Sequence, residues 1–380
     1  MKSLDLKEAL IEYSRSIGID KIGFTSADPF LTLKDRLKTQ QELGYQSGFE
    51  EPDIEKRTEP ERLLPGARSI IAIALAYPSK MKNRPKNTKE ERRGRFCRAS
   101  WGTDYHYILR DRLKKLEDFI LRQRPDAEVR SMVDTGELSD RAVAARAGIG
   151  WSGKNCAVIT PEFGSYVYLG EMITNLPLPP DEPMEDLCGS CTKCVDACPT
   201  GALVQGGQLN AQRCLAFLTQ TKGFMPDEAR EKMGNHLYGF DTCQLVCPYN
   251  QSVDEHRHSE MEPDPELARP RLKPLLKMSN RQFKETFGHV AGSWRGKKPI
   301  QRNAILALAH YKDKTATDDL VDLLENDPRP VIRGTAAWAL GKIGGNVEQV
   351  LLDAKKREKD SEVLSEIDKG LKMLENEAIS

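Results

Sequence analysis

Residues 188–199 read CGSCTKCVDACP, four cysteines spaced C-x2-C-x2-C-x3-C and closed by Pro199. No other stretch constrains the fold as much. Two-residue spacers let a tight loop wrap one four-iron cubane, with three thiolates reaching three irons, while the fourth cysteine points away to a neighbouring cluster. Structural zinc sites use separated C-x2-C pairs instead. The unbroken run therefore predicts a bacterial-type two-cluster ferredoxin segment, whose interior is inorganic rather than apolar.

The other half of such a segment should lie downstream and return one ligand to the first cluster. Cys214 and the stretch GFDTCQLVCPYN, residues 239–250, supply it. The expected ligand sets are Cys188, Cys191, Cys194 and Cys247 for cluster one, and Cys198, Cys214 and Cys243 for cluster two. A fourth ligand for cluster two belongs two spacer residues before Cys243, where Phe240 stands and cannot bind iron. Three outcomes stay open: a three-iron cluster, a cubane whose fourth iron is held by water, Asp241, His236 or an exogenous ligand, or loss of the cluster. Cys97 and Cys156 lie far away in sequence.

Seven of the nine cysteines fall between residues 188 and 247, a clustering that favours metal ligation over disulfides. No apolar run approaches the roughly 18 residues a membrane span needs. The N-terminal MKSLDLKEALIEYSRSIGI carries acids among its apolar residues and reads as an amphipathic helix, not a secretory signal. A cytoplasmic protein without membrane contact is expected. Lys+Arg and Asp+Glu both total 57, so the whole carries no net charge. Charge is nonetheless uneven, with nine basic residues against two acidic over 80–98 and ten against one over 269–302. Two basic islands on a neutral chain fit a localised polyanion site.

Three consecutive domains are expected, 1–178, 179–262 and 263–380, in an α+β architecture. In the first, SIIAIALAY (69–77) reads as a buried strand and DRLKKLEDFILRQR (111–124) as a helix with Leu113, Leu116, Phe119 and Ile120 on one face. CAVITPEFGSYVYLGEMIT (156–174) reads as two strands around a turn. Strands and helices mix without βαβ alternation, which argues against a doubly wound sheet. In the third domain a shift of 32 residues superposes Ile300, Ala304, Ala307 and Leu308 on Ile332, Ala336, Ala339 and Leu340. Val363, Ile367, Gly370 and Leu371 form a weaker third copy, and the pattern predicts stacked helical hairpins of the HEAT kind.

Two clusters a short electron hop apart make a wire, and a wire serves a redox centre. No G-x-G-x-x-G follows a strand, so a dinucleotide fold is unsupported, and a flavin or a corrin remains. DYH (104–106) starts like one cobalamin signature but lacks the glycine that follows it, which makes His106 a surface or substrate-site histidine.

The blocks KRTEPERLLPGARSIIAIALAYP, GTDYH, VDTGELSDRAVAARAGIGWSGKN, CGSCTKCVDACPTGAL, RCLAFLT and CQLVCPYN occur in that order. Together they resemble the epoxyqueuosine reductases over about residues 1–375, with Phe240 standing where that family has a cysteine. The resemblance implies two [4Fe-4S] clusters and a cobalamin bound in an N-terminal domain related to reductive dehalogenases. It also implies a tRNA substrate carrying epoxyqueuosine at the wobble position, an external low-potential electron donor and a monomeric enzyme. Asp134 of VDTG is the implied proton donor, and Arg57, Cys97 and Lys154 line the corrin or its tail. Tyr105, His106 and Arg141 are candidates near the modified base. Lys297 and Lys298 of the second basic island are candidates for tRNA phosphates. Donating a proton at neutral pH requires the Asp134 pKa to be raised by burial, because an ordinary Asp near about 3.9 is ionised. Two other readings share the cysteine frame: a reductive dehalogenase acting on organohalides, and an iron–sulfur electron carrier without enzymatic activity.

Overall fold

The computed structural model describes residues 3–379. The chain forms two compact units from interleaved segments. The first comprises Met1–Lys80, Gly102–Cys214 and Asp241–Glu262, and the second Met81–Trp101, Leu215–Phe240 and Pro263–Ser380. These units do not follow the three consecutive domains expected. The cysteine run takes its apolar support from the first unit, where Trp151, Ile159, Met184 and Tyr249 surround Cys188 and Cys247. The stretch between Cys214 and Asp241 gives Leu215, Leu218, Met225, Met233 and Leu237 to the core of the helical repeats.

The first unit is built from helix α1 (Ser3–Ser16), strand β1 (Lys21–Ser26), strand β2 (Ser69–Ala76), helix α2 (Tyr105–Gln123), strand β3 (Val129–Met132), helix α3 (Asp140–Arg146) and strand β4 (Val167–Thr174). The strands form one antiparallel sheet in the order β1-β2-β4-β3. Every residue of β2 is buried, because this apolar strand lies between two others with both faces covered. Alternate residues of β4 point to opposite faces. On one face Gly170 makes room for Leu113 of α2. The other carries Ile173 into a core with Ala72, Val143 and Ala144 under α3. Leu113, Leu116 and Ile120 are buried as the helical spacing predicts, and Phe119 stacks on Tyr13 of α1 at 4.4 Å. The two strands expected over 156–174 exist, but they do not pair with each other: Val158–Ile159 pairs with Trp151–Ser152. Strand β4 already has β2 and β3 on its two edges, which leaves no edge for a third partner.

The second unit stacks helices α4 (Lys297–His310), α5 (Thr317–Asn326), α6 (Pro330–Ile343), α7 (Glu348–Arg357) and α8 (Ser361–Ile379). Ile300, Ala304, Ala307 and Leu308 are buried, as are Ile332, Ala336, Ala339, Leu340, Val363 and Ile367. Small residues let α6 and α8 come close: a Cβ on Gly341 would lie 2.3 Å from Gly370 Cα. Gly341→Ala should therefore lower unfolding stability by about 1–3 kcal/mol through overpacking, despite the better helix propensity of alanine, in denaturant titration. A gain in stability would contradict this packing. No helix among the described residues is long and apolar enough to cross a membrane.

Candidate active site and cluster frame

The Asp104 side chain caps α2 by accepting the His106 backbone N–H at 3.0 Å, which fixes Tyr105 and His106 on the first turn. The same carboxylate holds His106 Nδ1 at 2.7 Å, and His106 Nε2 faces Asp134 Oδ2 at 3.4 Å. Burial alone would lower the imidazole, but Asp104 and Asp134 outweigh it and raise His106 to about 9. Asp134 is shifted the other way. The neighbouring His106 holds its carboxyl below the usual value, more than burial raises it. The raised pKa expected for Asp134 is therefore not found in the protein alone. At neutral pH the proton sits on His106, and Asp134 is an exposed carboxylate, its side chain 59% accessible.

Asp134 has φ +51°, a left-handed conformation uncommon outside glycine, and its N–H donates to Asp140 Oδ2 at 2.8 Å. Tyr105 stacks on His106 at 4.3 Å and on Tyr168 at 4.5 Å, and Tyr168 stacks on Tyr77 at 4.4 Å. Aromatic faces of this kind suit a splayed nucleobase.

The other candidates divide. Burial lowers the Arg57 guanidinium, with Glu50 acting against the shift, Arg141 adding to it and Asp140 opposing it, so these four groups share one neighbourhood. Arg141 donates to the Cys156 carbonyl, and Cys156 itself has φ +64°. Beside it, Asn155 Oδ1 accepts from the Ala157 N–H at 3.1 Å, but the buried Asn155 Nδ2 has no partner among the described residues. Lys154 was expected beside a corrin. Its ammonium is instead committed to the cysteine loop, donating to the carbonyls of Gly189 at 2.5 Å and Cys191 at 3.1 Å. Cys97 belongs to the second unit, where its N–H donates to Tyr238 O at 2.9 Å and its sulfur packs against Gly239.

All seven clustered cysteines lie in the first unit, and no cysteine of the chain is in a disulfide. Their neighbours fall into two groups that meet at Cys194. Burial raises the Cys247 thiol, with Cys188 and Cys191 adding to the shift, and Cys194 is raised by burial with Cys188 and Cys247 beside it. Cys243 is pushed up to about 12 by burial, then by Cys214, Cys194, Cys198 and Asp241. Among the described residues no three His, Cys, Asp or Glu side chains converge tightly enough to hold a single ion. A cubane spreads its thiolates over separate irons, so its ligands need not converge on one point. The Trp151 indole donates to Cys188 Sγ at 3.4 Å, and the Ala202 N–H to Cys198 Sγ at 3.2 Å, the kind of contact that tunes cluster potentials. Phe240 packs on the core of the second unit with its ring 4.4 Å from His236, whose Nδ1 lies 2.6 Å from the Met233 carbonyl. Asp241 is buried and faces Cys243.

The second basic island is partly structural. Arg302 is buried and caps the carbonyls of Leu218, Thr221 and Gly223, and Phe283 and Phe287 are core residues. Lys297 donates to Met278 O at 2.7 Å. Lys298 is half-buried, and its ammonium is lowered first by burial and then by Lys222, Arg329 and Arg302, so several cations crowd one place. Trp294 is exposed there, with Arg295 4.9 Å over its ring.

Sequence reasoning missed Asp104, Asp140, Glu171, Asn155, Tyr168 and Lys222. Glu171 had a signal: a carboxylate inside the apolar run VYLGEMIT is rare unless it has a task.

Comparisons with known proteins agree along the whole chain. Residues 57–135 match the family model described as epoxyqueuosine reductase QueG, DUF1730. Residues 187–250 match a 4Fe-4S double cluster binding domain, and residues 296–372 match HEAT repeats. The epoxyqueuosine reductase of Bacillus cereus is 68% identical over 370 residues, which is 97% of either chain. The crystal structure of epoxyqueuosine reductase with a tRNA-Tyr epoxyqueuosine-modified stem loop superposes with a TM-score of 0.97 at 67% identity, covering 98% of this chain and 100% of that one. The Bacillus subtilis epoxyqueuosine reductase with its Asp134 catalytic loop swung out of the active site gives 0.96 at 66% identity, over 98% and 100%.

Proposed function

The chain belongs to the epoxyqueuosine reductase family, and from that premise we infer how its residues reduce epoxyqueuosine to queuosine in tRNA. The reading is carried by one observation: a single compact unit holds both the paired cysteine frame and the Asp104–His106–Asp134 array beside an aromatic stack.

The reaction takes up two electrons and two protons, the epoxide becomes an alkene, and its oxygen leaves as water. Cysteines 188, 191, 194 and 247 would hold one iron–sulfur cluster and cysteines 198, 214 and 243 the other, with the buried Asp241 best placed to stand in where Phe240 cannot bind. Asn155 and Arg57 fit a cobalamin, the first through an orphaned buried amide and the second through a partly buried charge. Cys97 is kept as a candidate on the family resemblance alone. When bound, the corrin supplies a low-valent cobalt as the reductant of the epoxide, fed with single electrons by the clusters and an external donor.

The chain's own task is protons and positioning. Negative charge develops on the epoxide oxygen, and His106 holds a proton next to the exposed Asp134 carboxylate, which can pass it on. The Tyr105 ring and its stacked neighbours would receive the flat face of the modified base, with Arg141 close to the same loop. We assign residues 1–178 to the corrin and substrate, the cysteine-bearing parts of 179–262 to the clusters, and 263–380, joined in its unit by Leu215–Phe240, to tRNA. The protein acts as a monomer in the cytoplasm.

Affinity for RNA rests largely on phosphate neutralisation. The double variant Lys222→Glu with Lys298→Glu should weaken tRNA binding by about tenfold or more and lower the slope of log affinity against log salt by about 1–2. Lys297, already tied to Met278, should contribute less. Equal affinities across a salt series would remove this face from the interface. The cofactor assignment is tested by the absorption spectrum of anaerobically purified protein. Corrin bands beside a broad iron–sulfur absorption support it; clusters without corrin would return the chain to an electron carrier.

A further inference from the structure

Glu171 sits in the middle of β4, flanked in the sheet by Ala72 and Met132, and is 1% exposed. Among the described residues no N–H or hydroxyl donor reaches either of its carboxyl oxygens, and the group set against them is the Asp140 carboxyl. It lies on the face of β4 that packs under α3, next to Asp140 at the start of that helix. Asp140 in turn receives the backbone N–H of Asp134 at 2.8 Å, the contact that accompanies the left-handed φ of Asp134. The three carboxyl groups thus form a column from the sheet interior to the exposed end of the Asp134 loop.

We propose that Asp140 and Glu171 are positioning residues for the Asp134 loop, a latch of one buried carboxyl (Glu171) and one half-buried carboxyl (Asp140) that shares one proton and pins the Asp134 backbone toward His106. This rests on the reading of Asp134 as the proton-delivering carboxylate. The two adjacent carboxyls do not both ionise readily, because a second charge placed on the buried Glu171 would have neither solvent nor a cation beside it, only the Asp140 and Asp134 carboxyls. The charged groups facing Glu171 are Asp140 and Asp134, while Arg57 lies near Asp140. Burial, then the Asp140 charge, pushes Glu171 well above the ordinary carboxyl value, so the inner group keeps the proton. Asp140 is raised as well, first by burial and next by Asp134. An ionised Glu171 would repel Asp140 and loosen the hydrogen bond it accepts from the Asp134 N–H. In the Bacillus subtilis relative the corresponding loop is swung out of the active site, whereas here the contact is made.

The test uses the full chain loaded with its cofactors. Glu171→Gln keeps a neutral donor of the same shape and should turn over within about threefold of the parent, while Glu171→Leu and Asp140→Ala should lose kcat by on the order of 10- to 100-fold with KM for tRNA unchanged. Asp140→Asn, which keeps an acceptor for the Asp134 N–H, should restore most of the rate lost in Asp140→Ala. Two readouts need no turnover and so separate this latch from the function itself. Difference infrared spectroscopy should show a protonated carboxyl band that vanishes in Glu171→Gln, and amide hydrogen exchange at residues 133–136 should accelerate in Asp140→Ala but not in Asp140→Asn. No such band, unchanged exchange, or a Glu171→Gln variant as impaired as Glu171→Leu would overturn the proposal.

Discussion

Asp134→Asn is expected to lower kcat by on the order of 10²–10⁴-fold while leaving tRNA affinity and iron content as they are. The side chain is exposed, so its removal costs little folding energy, and the cysteine frame does not depend on it. What is lost is the carboxylate between the proton on His106 and the substrate oxygen. The pH dependence carries the same signature. His106, raised to about 9 mainly by Asp104 and Asp134 against the effect of burial, keeps its proton below that pH and loses it above. Parent kcat should therefore hold through neutral pH and fall as pH passes about 9. In Asp134→Asn one of the two carboxylates is gone, so the residual activity should fall at lower pH. The stabilising effect of the charged His106 follows the same sign: it is complete below the unfolded pKa near about 6.5 and fades as pH rises toward the folded value. An Asp134→Asn enzyme with parental kcat would remove Asp134 from the chemistry.

Phe240→Cys should change the metal content itself. Two four-iron clusters call for about eight irons per chain. With Phe240 packed against His236, the proposed ligand set offers the second cluster three cysteines and, in the Asp241 carboxylate, a weaker and easily lost fourth ligand. Anaerobically reconstituted parent protein should fall below about eight irons per chain, and Phe240→Cys should rise to that value. Oxidised parent protein should also show the paramagnetic signal of a three-iron cluster, which the variant loses. Equal iron counts with identical spectra would mean that the missing ligand is supplied from another position.

Legibility in the sequence followed local pattern. The cysteine run, the buried strand at 69–76 and the 32-residue helical repeat were readable because spacing or periodicity specifies each of them. The division into units was not. Leu215, Met233 and Leu237 join the repeat core from within the cysteine segment, a long-range packing choice that no local window encodes. The same limit applied at the site. Asp134 stood out through its motif, but its ionisation depends on His106, 28 positions earlier in the chain, and its backbone geometry on Asp140. Lys154 looked like a cofactor residue, yet it spans 35 positions to reach the Gly189 carbonyl. Glu171 was visible as an oddity in an apolar strand, but only the packing of α3 over the sheet shows what it touches.

The most direct test of the central claim is nucleoside mass spectrometry of epoxyqueuosine-containing tRNA after anaerobic incubation with the loaded protein and a low-potential reductant. Conversion to a nucleoside lighter by one oxygen, in step with enzyme turnover and absent when protein is left out, is the predicted result. Unchanged epoxyqueuosine with protein that has been shown to hold both its clusters and its corrin would contradict it.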